Sequence, residues 1–488
     1  MQPVRFVVSV LLLALGCGSA ADGDAREAEI ASVMSRADMP LIRARPRLVA
    51  GKYERMAGEL IAFYRGEVPV FLHDFRDKGG PLSRSRFAMD APLVLGTCDP
   101  HLENFGLLLA SDGSLGLEPN DFDAADLVPY LYEVRRFIVS LVVAAYGSNT
   151  DDAGAHQVAV DARRAIARAG AVAYATTIRD LASGASRERV SSPPPADPIL
   201  ADLFKRAVRD TSARAELDNT VLSGNQRTLK RGVLDPTAPE NTYADLPNVA
   251  VRALPQALAD YRRSLVAPPP PEYFTILDAV REFGSGVASW PRVRLIVLVR
   301  GPSDAPADDV MLEVKEEADS PVSGWYPPGV HFDSIQARIT STSRAIWARP
   351  DAAPLWGTTG WLGFPVQVRL EATGQKTLRV SRLLGDRGTV AALTTLAADL
   401  GALLARVHAA PSRVSSTPAA AVWARIGADP EGFADEQADV ATVYGDQVVV
   451  DFGLFQKALV TLGPNLGLPL DAPDAPPADL AAVYGDPP

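Results

Sequence analysis

Cysteine is almost missing from this chain: Cys17 and Cys98 are the only two in 488 residues. No disulfide framework is readable from so few. Positive charge is in deficit as well. Lys and Arg number 48 against 59 Asp and Glu, a net charge of −11. That argues against nucleic acid as a partner, because phosphate-backbone binding is driven by clustered Lys and Arg. Long apolar runs are also lacking. Beyond the first fifteen residues, no segment reads as long and apolar enough to cross a bilayer. What remains is ordinary globular content, 47% hydrophobic, sufficient for a sizeable core. The length exceeds one typical domain and suggests two or three units.

The N-terminus carries an address. Met1–Arg5 holds one positive charge, Phe6–Leu15 is largely apolar, and Gly16-Cys17-Gly18-Ser19-Ala20 closes the run with small residues. This is the pattern of a secretory signal peptide over residues 1–20, predicting export to the cell envelope, outer membrane or periplasm. Ala14-Leu15-Gly16-Cys17 resembles a bacterial lipoprotein box. That implies lipidation of Cys17 and a membrane anchor, although Leu15 is not the usual small residue. Cleavage after Ala20 is the rival. Residues 21–45 read as a small, polar and charged tether leading into a helix over Lys52–Tyr64.

The informative stretch runs from Leu93 to Asp123. An apolar run ends at Gly96 and delivers the polar loop Cys98-Asp99-Pro100-His101-Leu102-Glu103-Asn104. Two apolar strands follow, Phe105–Ala110 and Leu115–Glu118, joined by Ser111-Asp112-Gly113-Ser114, a strong hairpin signal. The second strand ends in Asn120-Asp121-Phe122-Asp123. A hairpin brings Asp99, Asn104 and Asp121 to one end of a small sheet. Such an oxygen-rich cluster suits a hard cation such as Mg²⁺. The spacing matches what phosphoryl transfer needs: one carboxylate orients the attacking hydroxyl, while an amide oxygen and a second carboxylate hold the metal. Asp and Asn are also common in loops, where they make local turns.

Cys98-Asp99-Pro100-His101-Leu102-Glu103-Asn104-Phe105-Gly106 resembles the G-D-x-H-x-x-N-F-G signature of the family called domain of unknown function 2252. The likeness runs from Phe63-Tyr64-Arg65-Gly66 to about Asp451. The motif is in turn similar to the H-G-D-x-H-x-x-N loop of aminoglycoside and choline kinase-like phosphotransferases. The resemblance implies an α+β, protein-kinase-like two-lobed fold in permuted order, with the helical catalytic lobe first, a small β-rich lobe later and closing helices last. It implies Asp99 as base, His101 orienting the loop, and Asn104 and Asp121 as Mg²⁺ ligands with Asp123 as a possible third. Arg65 lies near the site in that family. Glu133 and Arg136 fall at positions that brace the loop.

Pro268-Pro269-Pro270-Pro271 is a stiff extended linker. It divides a helical unit, 46–267, from a β-rich unit, 272–385, with C-terminal helices at 386–460 and a loose tail at 461–488. After the linker, Gly284-Ser285-Gly286-Val287-Ala288-Ser289 leads into strands Val293–Arg300 and Val310–Glu317. Backbone amides of such a loop, at Gly284 and Gly286, can cradle phosphates. Met311-Leu312-Glu313-Val314-Lys315-Glu316 resembles the family's L-Q-V-K-E-A strand, which implies that Lys315 clamps donor phosphates. A strand lysine also guards edges against aggregation. In kinase-like folds that lysine pairs with a helical Glu. The segment Gln336–Trp347 matches the family's helix through Arg338 and Arg344 but carries Ser341 at the Glu position. Trp361–Arg369 and Leu378–Leu383 read as further strands, and Thr389–His408 as a helix with His408 as a cap or packing residue. Asp451-Phe452-Gly453 imitates a kinase metal triplet without the loop that should precede it.

Three functions are compatible with these residues. The first is an exported phosphotransferase acting on a small hydroxylated molecule, with Mg²⁺ and ATP or another phosphoryl donor. Export sets a conflict with ATP, which has no standing pool outside the cytoplasm. The second is an inactive kinase-like binding module at the envelope, favoured by Ser341 and Ser289. The third is a metal-dependent hydrolase using Asp99, His101, Asp121 and Asp123. A Cys98 nucleophile is a weaker fourth, because an isolated Cys is usually an inert apolar filler.

Overall fold

The structure is a computed structural model describing residues 20–468, except 78, 89–91, 148–149, 152–153, 156–159, 195, 210–217, 236–237, 324–331, 372–375 and 384. Residues 1–19 of the expected signal peptide, with Cys17, and all of the tail beyond residue 468 lie outside the described residues.

Helices and antiparallel sheets are both present, an α+β architecture. The helical body is built around Tyr130–Gly147, Val160–Ala182, Val390–His408 and Pro430–Leu462. Their ends are written locally. Thr389 accepts a bond from the Ala392 amide, and Asp429 accepts one from Gly432 ahead of Pro430, both ordinary N-terminal caps. Gly401 packs directly on Gly170, where a Cβ would come within 2.2 Å of the Gly170 carbonyl oxygen. That contact lets Val160–Ala182 and Val390–His408 approach backbone to backbone. Val390–His408 is also long and apolar enough to cross a membrane, contrary to the reading of the sequence. Here it is a core helix, with Leu396, Leu400 and Leu404 fully buried.

Three further expectations are corrected. Residues 21–45 are not a tether. Helix Ala20–Ala37 packs on Pro430–Leu462, and Arg26 bridges Asp74 and Asp451 at 2.6 and 2.7 Å. The helix expected over Lys52–Tyr64 is two, Pro46–Gly58 and Leu60–Gly66, broken where Glu59 is extended. Leu378–Leu383 is not a strand: a 3₁₀ turn covers Val380–Arg382, and Lys376–Thr377 pairs instead with the hairpin strand Phe105–Leu109. Asp451-Phe452-Gly453 lies within a continuous helix, as befits a chance match.

Seven strands form the large antiparallel sheet, in the order Gly357–Trp361, Phe364–Leu370, Val310–Glu316, Arg294–Val299, Ile276–Phe283, Ala238–Asp245, Gly232–Asp235. The last two precede the proline run. The stretch expected as one strand over Trp361–Arg369 is a tight hairpin, turning at Leu362 and Gly363, which both have positive φ. Side chains alternate across the sheet. On one face Leu295, Val297, Leu312, Val314, Val366 and Val368 pack under helix Asn248–Ser264 through Leu254, Leu258 and Tyr261. The other face carries Arg294, Lys315, Gln367 and Arg369 into a cleft shared with the helical body, with Glu313 on the same face.

Candidate active site

The cleft begins at a short sheet. Strand Leu93–Gly96 pairs with Asp126–Pro129, and the polar loop leaves from its end. Gly96 admits the Glu133 carboxylate, which a Cβ there would meet at 2.5 Å. Glu133 Oε1 accepts the Cys98 amide, and Glu133 Oε2 lies 3.3 Å from His408 Nε2. His408 is fully buried and bonded through Nδ1 to the Tyr174 hydroxyl at 2.7 Å, so it is a packing residue. Cys98 itself has φ +57, at the place where the resembled motif has Gly. Its thiol is fully enclosed, and burial, then the charges of Glu133 and Asp126, push its pKa well up. A buried, protonated thiol is no nucleophile.

Bonds within the loop fix the rest. The Asn104 side-chain amide donates to the Asp99 carbonyl at 2.9 Å, and Asn104 N donates to the His101 carbonyl at 2.8 Å. His101 Nδ1 accepts from the Glu103 amide at 3.2 Å, which leaves the proton on Nε2, 3.7 Å from Asp99 Oδ2. Burial and the neighbouring Arg65, Arg136 and Arg379 hold His101 neutral, well below its usual pKa. Asp99 Oδ1 accepts from Arg136 Nε at 2.9 Å. Burial raises the Asp99 pKa and Arg136 opposes it. Arg136 is itself fully buried, held by Glu67 and the Tyr64 carbonyl. Arg65 does not reach Asp99. It bonds Glu103 at 2.8 Å, and Glu103 also accepts the Val380 amide at 2.8 Å.

The hairpin delivers the second half. The Asn120 amide bonds the Asn104 carbonyl at 3.1 Å, and the Asp123 amide bonds Asp121 Oδ1 at 3.2 Å. Phe122 between them is buried against Trp347 and Trp356. From the large sheet, Lys315 Nζ forms an ion pair with Asp123 Oδ2. Burial lowers the Lys315 pKa, but Asp123, Asp121 and Glu317 more than reverse this and raise it. Burial and the charge of Asp123 push Asp121 up to about 6. Asp123 stays below the ordinary carboxylate range, because Lys315 and Asp121 outweigh its burial. Asp99, His101, Asn104, Asp121, Asp123, Arg65, Gly284, Gly286 and Lys315 all line one cleft of about 360 Å³.

A family model described as "Uncharacterized protein conserved in bacteria (DUF2252)" matches residues 43–458. The chain belongs to this family. No curated protein and no solved structure matches it.

In this DUF2252 chain the carboxylate beside Lys315 comes from the turn after the hairpin and not from helix Ile335–Ile346. Ser341 faces solvent, away from the cleft, and Asp123 supplies the carboxylate. What helix Ile335–Ile346 contributes is Arg338. Its guanidinium bonds the carbonyls of Ala125 at 2.6 Å, Asp123 at 2.8 Å and Ala318 at 2.7 Å. It thereby ties the Asp121–Asp123 turn to the end of the Lys315 strand.

Several cleft residues escaped the reading of the sequence. Arg294 and Arg369 come from the strands flanking Lys315. Glu313 binds both, with Arg369 Nε at 2.9 Å. Their signal was a charged residue on one face of otherwise apolar runs, RLIVLV and FPVQVRL. Arg55 and Arg379 line the cleft too. Glu317 is 3% exposed with Oε1 unpartnered among the described residues. Burial, then Asp123, drive its pKa well up.

Proposed function

We propose that this protein is an exported phosphotransferase of kinase-like, permuted architecture, transferring a phosphoryl group to a small hydroxylated acceptor. Export rests on residues 1–20, and the anchored form on Cys17. The observation that carries the catalytic reading is the sharing of one cleft by Lys315 and the Asp99, Asn104, Asp121 and Asp123 group. Neither a hydrolase nor an inert scaffold needs a buried ammonium beside that oxygen set.

The donor set suits a hard divalent cation: two carboxylates and an amide oxygen, with Asp123 Oδ1 buried and unpartnered among the described residues. Asp121, Asp123 and Asn104 would hold Mg²⁺, which when bound neutralises charge on the phosphates. Asp99 orients the acceptor hydroxyl and takes its proton. Its carboxylate is steered by Arg136 on one oxygen and the His101 ring on the other. His101 is a positioning residue, too strongly held neutral to shuttle protons at pH 7. Lys315, Arg294 and Arg369 face the phosphates, where fixed cations lower the cost of charge developing in transfer. The Gly284 and Gly286 backbone, both at φ +84, approaches them without a side chain in between.

A second, larger cavity of about 890 Å³ shares Asp99, Asn104, Asp121 and Asp123 with the first and adds apolar wall from Val33, Val68 and Leu72. It is the place for the acceptor. The test is a thermal-shift screen with Mg²⁺ and phosphoryl donors, followed by phosphorus NMR of donor consumption with polyol acceptors. A donor-dependent rise that disappears in Asp121→Ala and Lys315→Ala is expected. Metal-only stabilisation with simple ester hydrolysis would replace this reading with the hydrolase.

A further inference from the structure

The cleft that receives the donor has an unusual wall. Six cations line it, Arg55, Arg65, Arg294, Lys315, Arg369 and Arg379, against the carboxylates of Asp99, Glu103, Asp121 and Asp123. Among the described residues its apolar side chains are Val287 and Ala288 alone, and no aromatic ring or large aliphatic chain lines it. Sites for purine nucleotides spend much of their wall on the base, because a flat ring gains binding mainly from apolar and aromatic contact. This wall offers a base little to pack against and offers a chain of phosphates a great deal.

The cations are also placed as a row. Arg294, Lys315 and Gln367 stand opposite one another on three adjacent strands, and Arg369 lies two residues beyond Gln367 on the same face. Neighbouring strands are about 5 Å apart, so the positive groups repeat across the cleft floor. Glu313 grips both Arg294 and Arg369 from behind, fixing their forks without filling the cleft. Gln367, 2% exposed, has its Oε1 unpartnered among the described residues, and so has the buried Arg65 Nε. Polar atoms left in this way inside a polar cavity call for a ligand.

We propose that the donor is a base-free oligophosphate, pyrophosphate or a short polyphosphate chain, and not a nucleoside triphosphate. This rests on the phosphotransferase reading of the same site. It also meets the difficulty that export poses for ATP. In the transfer, the bond from the terminal phosphorus to its bridging oxygen breaks and the leaving chain, one phosphate shorter, keeps the electron pair. A new bond forms between that phosphorus and the acceptor hydroxyl oxygen, and the hydroxyl proton passes to Asp99.

The experiment is calorimetric titration of the full chain, in Mg²⁺, with sodium tripolyphosphate, pyrophosphate and ATP, each with and without adenosine as competitor. Tripolyphosphate is expected to bind at least about tenfold more tightly than ATP, with adenosine having no effect on either. Arg379→Gln removes a cleft cation whose side chain is half exposed, so folding is not at issue, and should weaken tripolyphosphate several-fold. Arg294→Gln and Arg369→Gln should weaken it further. ATP binding more tightly, with adenosine competing, would overturn the oligophosphate proposal while leaving a phosphotransferase. Binding of none of the three would overturn both.

Discussion

Lys315 Nζ and the Asp123 carboxylate meet across 192 positions of sequence, one on the large sheet and one on the turn that follows a hairpin in the helical body. The pair joins the two halves, as does Arg45 with Glu316 at 2.6 Å on the same strand. Its side chains are 7% and 29% exposed, so the charges are poorly hydrated and depend on each other. Lys315→Ala removes the cation from a group that still holds Asp121 and Glu317. It should cost about 3 kcal/mol in urea unfolding, besides abolishing donor binding. Lys315→Met with Asp123→Asn should recover much of that stability and none of the binding. A double variant as unstable as Lys315→Ala would show that the ion pair is not the source of the loss.

Cys98 occupies the left-handed region at φ +57, where a side chain is strained and glycine is not. Cys98→Gly relieves that strain but gives up a small buried group, two effects of about 1 kcal/mol each and of opposite sign. Near-neutral stability and intact function are therefore expected. Cys98→Val adds β-branching to the same dihedral and should destabilise by about 2 kcal/mol. Loss of turnover in a well-folded Cys98→Gly protein would restore the thiol as a chemical participant.

Arg338 and Ser341 lie on one helix, Ile335–Ile346, and exchange the importance that motif matching gives them. Arg338→Ala should cost about 3 kcal/mol, because buried carbonyls of Asp123, Ala125 and Ala318 lose their donor. It should also weaken cation binding by loosening the Asp121–Asp123 turn. Ser341→Glu, which restores the residue of the resembled motif, should change stability by less than about 0.5 kcal/mol and leave donor affinity unchanged. Chemical unfolding and calorimetry on both variants check this. A gain in affinity from Ser341→Glu would mean that the helix reorients toward Lys315.

Those two residues show what the sequence carried and where it stopped. Local chemistry was legible: Asp-Gly announced the hairpin, and Asp99 to Asn104 announced a loop with its own internal bonds. The Lys315 strand could be read from a charged residue alternating with Leu312 and Val314. What failed was nonlocal. Which carboxylate would meet Lys315 depends on how a turn at 121–123 docks against a sheet, and no spacing encodes that. Glu313 shares a face with Lys315, two residues along the same strand, and holds Arg294 and Arg369 on either side. The proline run marked a change of composition, but strands Gly232–Asp235 and Ala238–Asp245 join the sheet from before it. Hydrogen-bonded edges, not linker chemistry, set where a sheet begins.

A last prediction concerns two carboxylates remote from the cleft. Asp197 Oδ1 caps helix Pro198–Arg209, accepting the Ile199 and Leu200 amides at 2.8 Å each. Its carboxyl group lies beside that of Asp399 on helix Val390–His408. Burial, and then the Asp197 charge, raise Asp399 to about 7. A carboxyl raised in the folded state is protonated there at pH values where the unfolded chain has already released its proton. Its contribution is therefore complete below about pH 4, the ordinary Asp range, and drains away as pH climbs through 7. Asp399→Asn keeps an uncharged hydrogen-bonding group at every pH. Its melting temperature should match that of the natural chain at about pH 4 and exceed it at pH 8. A variant that melts lower at both would assign Asp399 to packing and dispose of its raised titration.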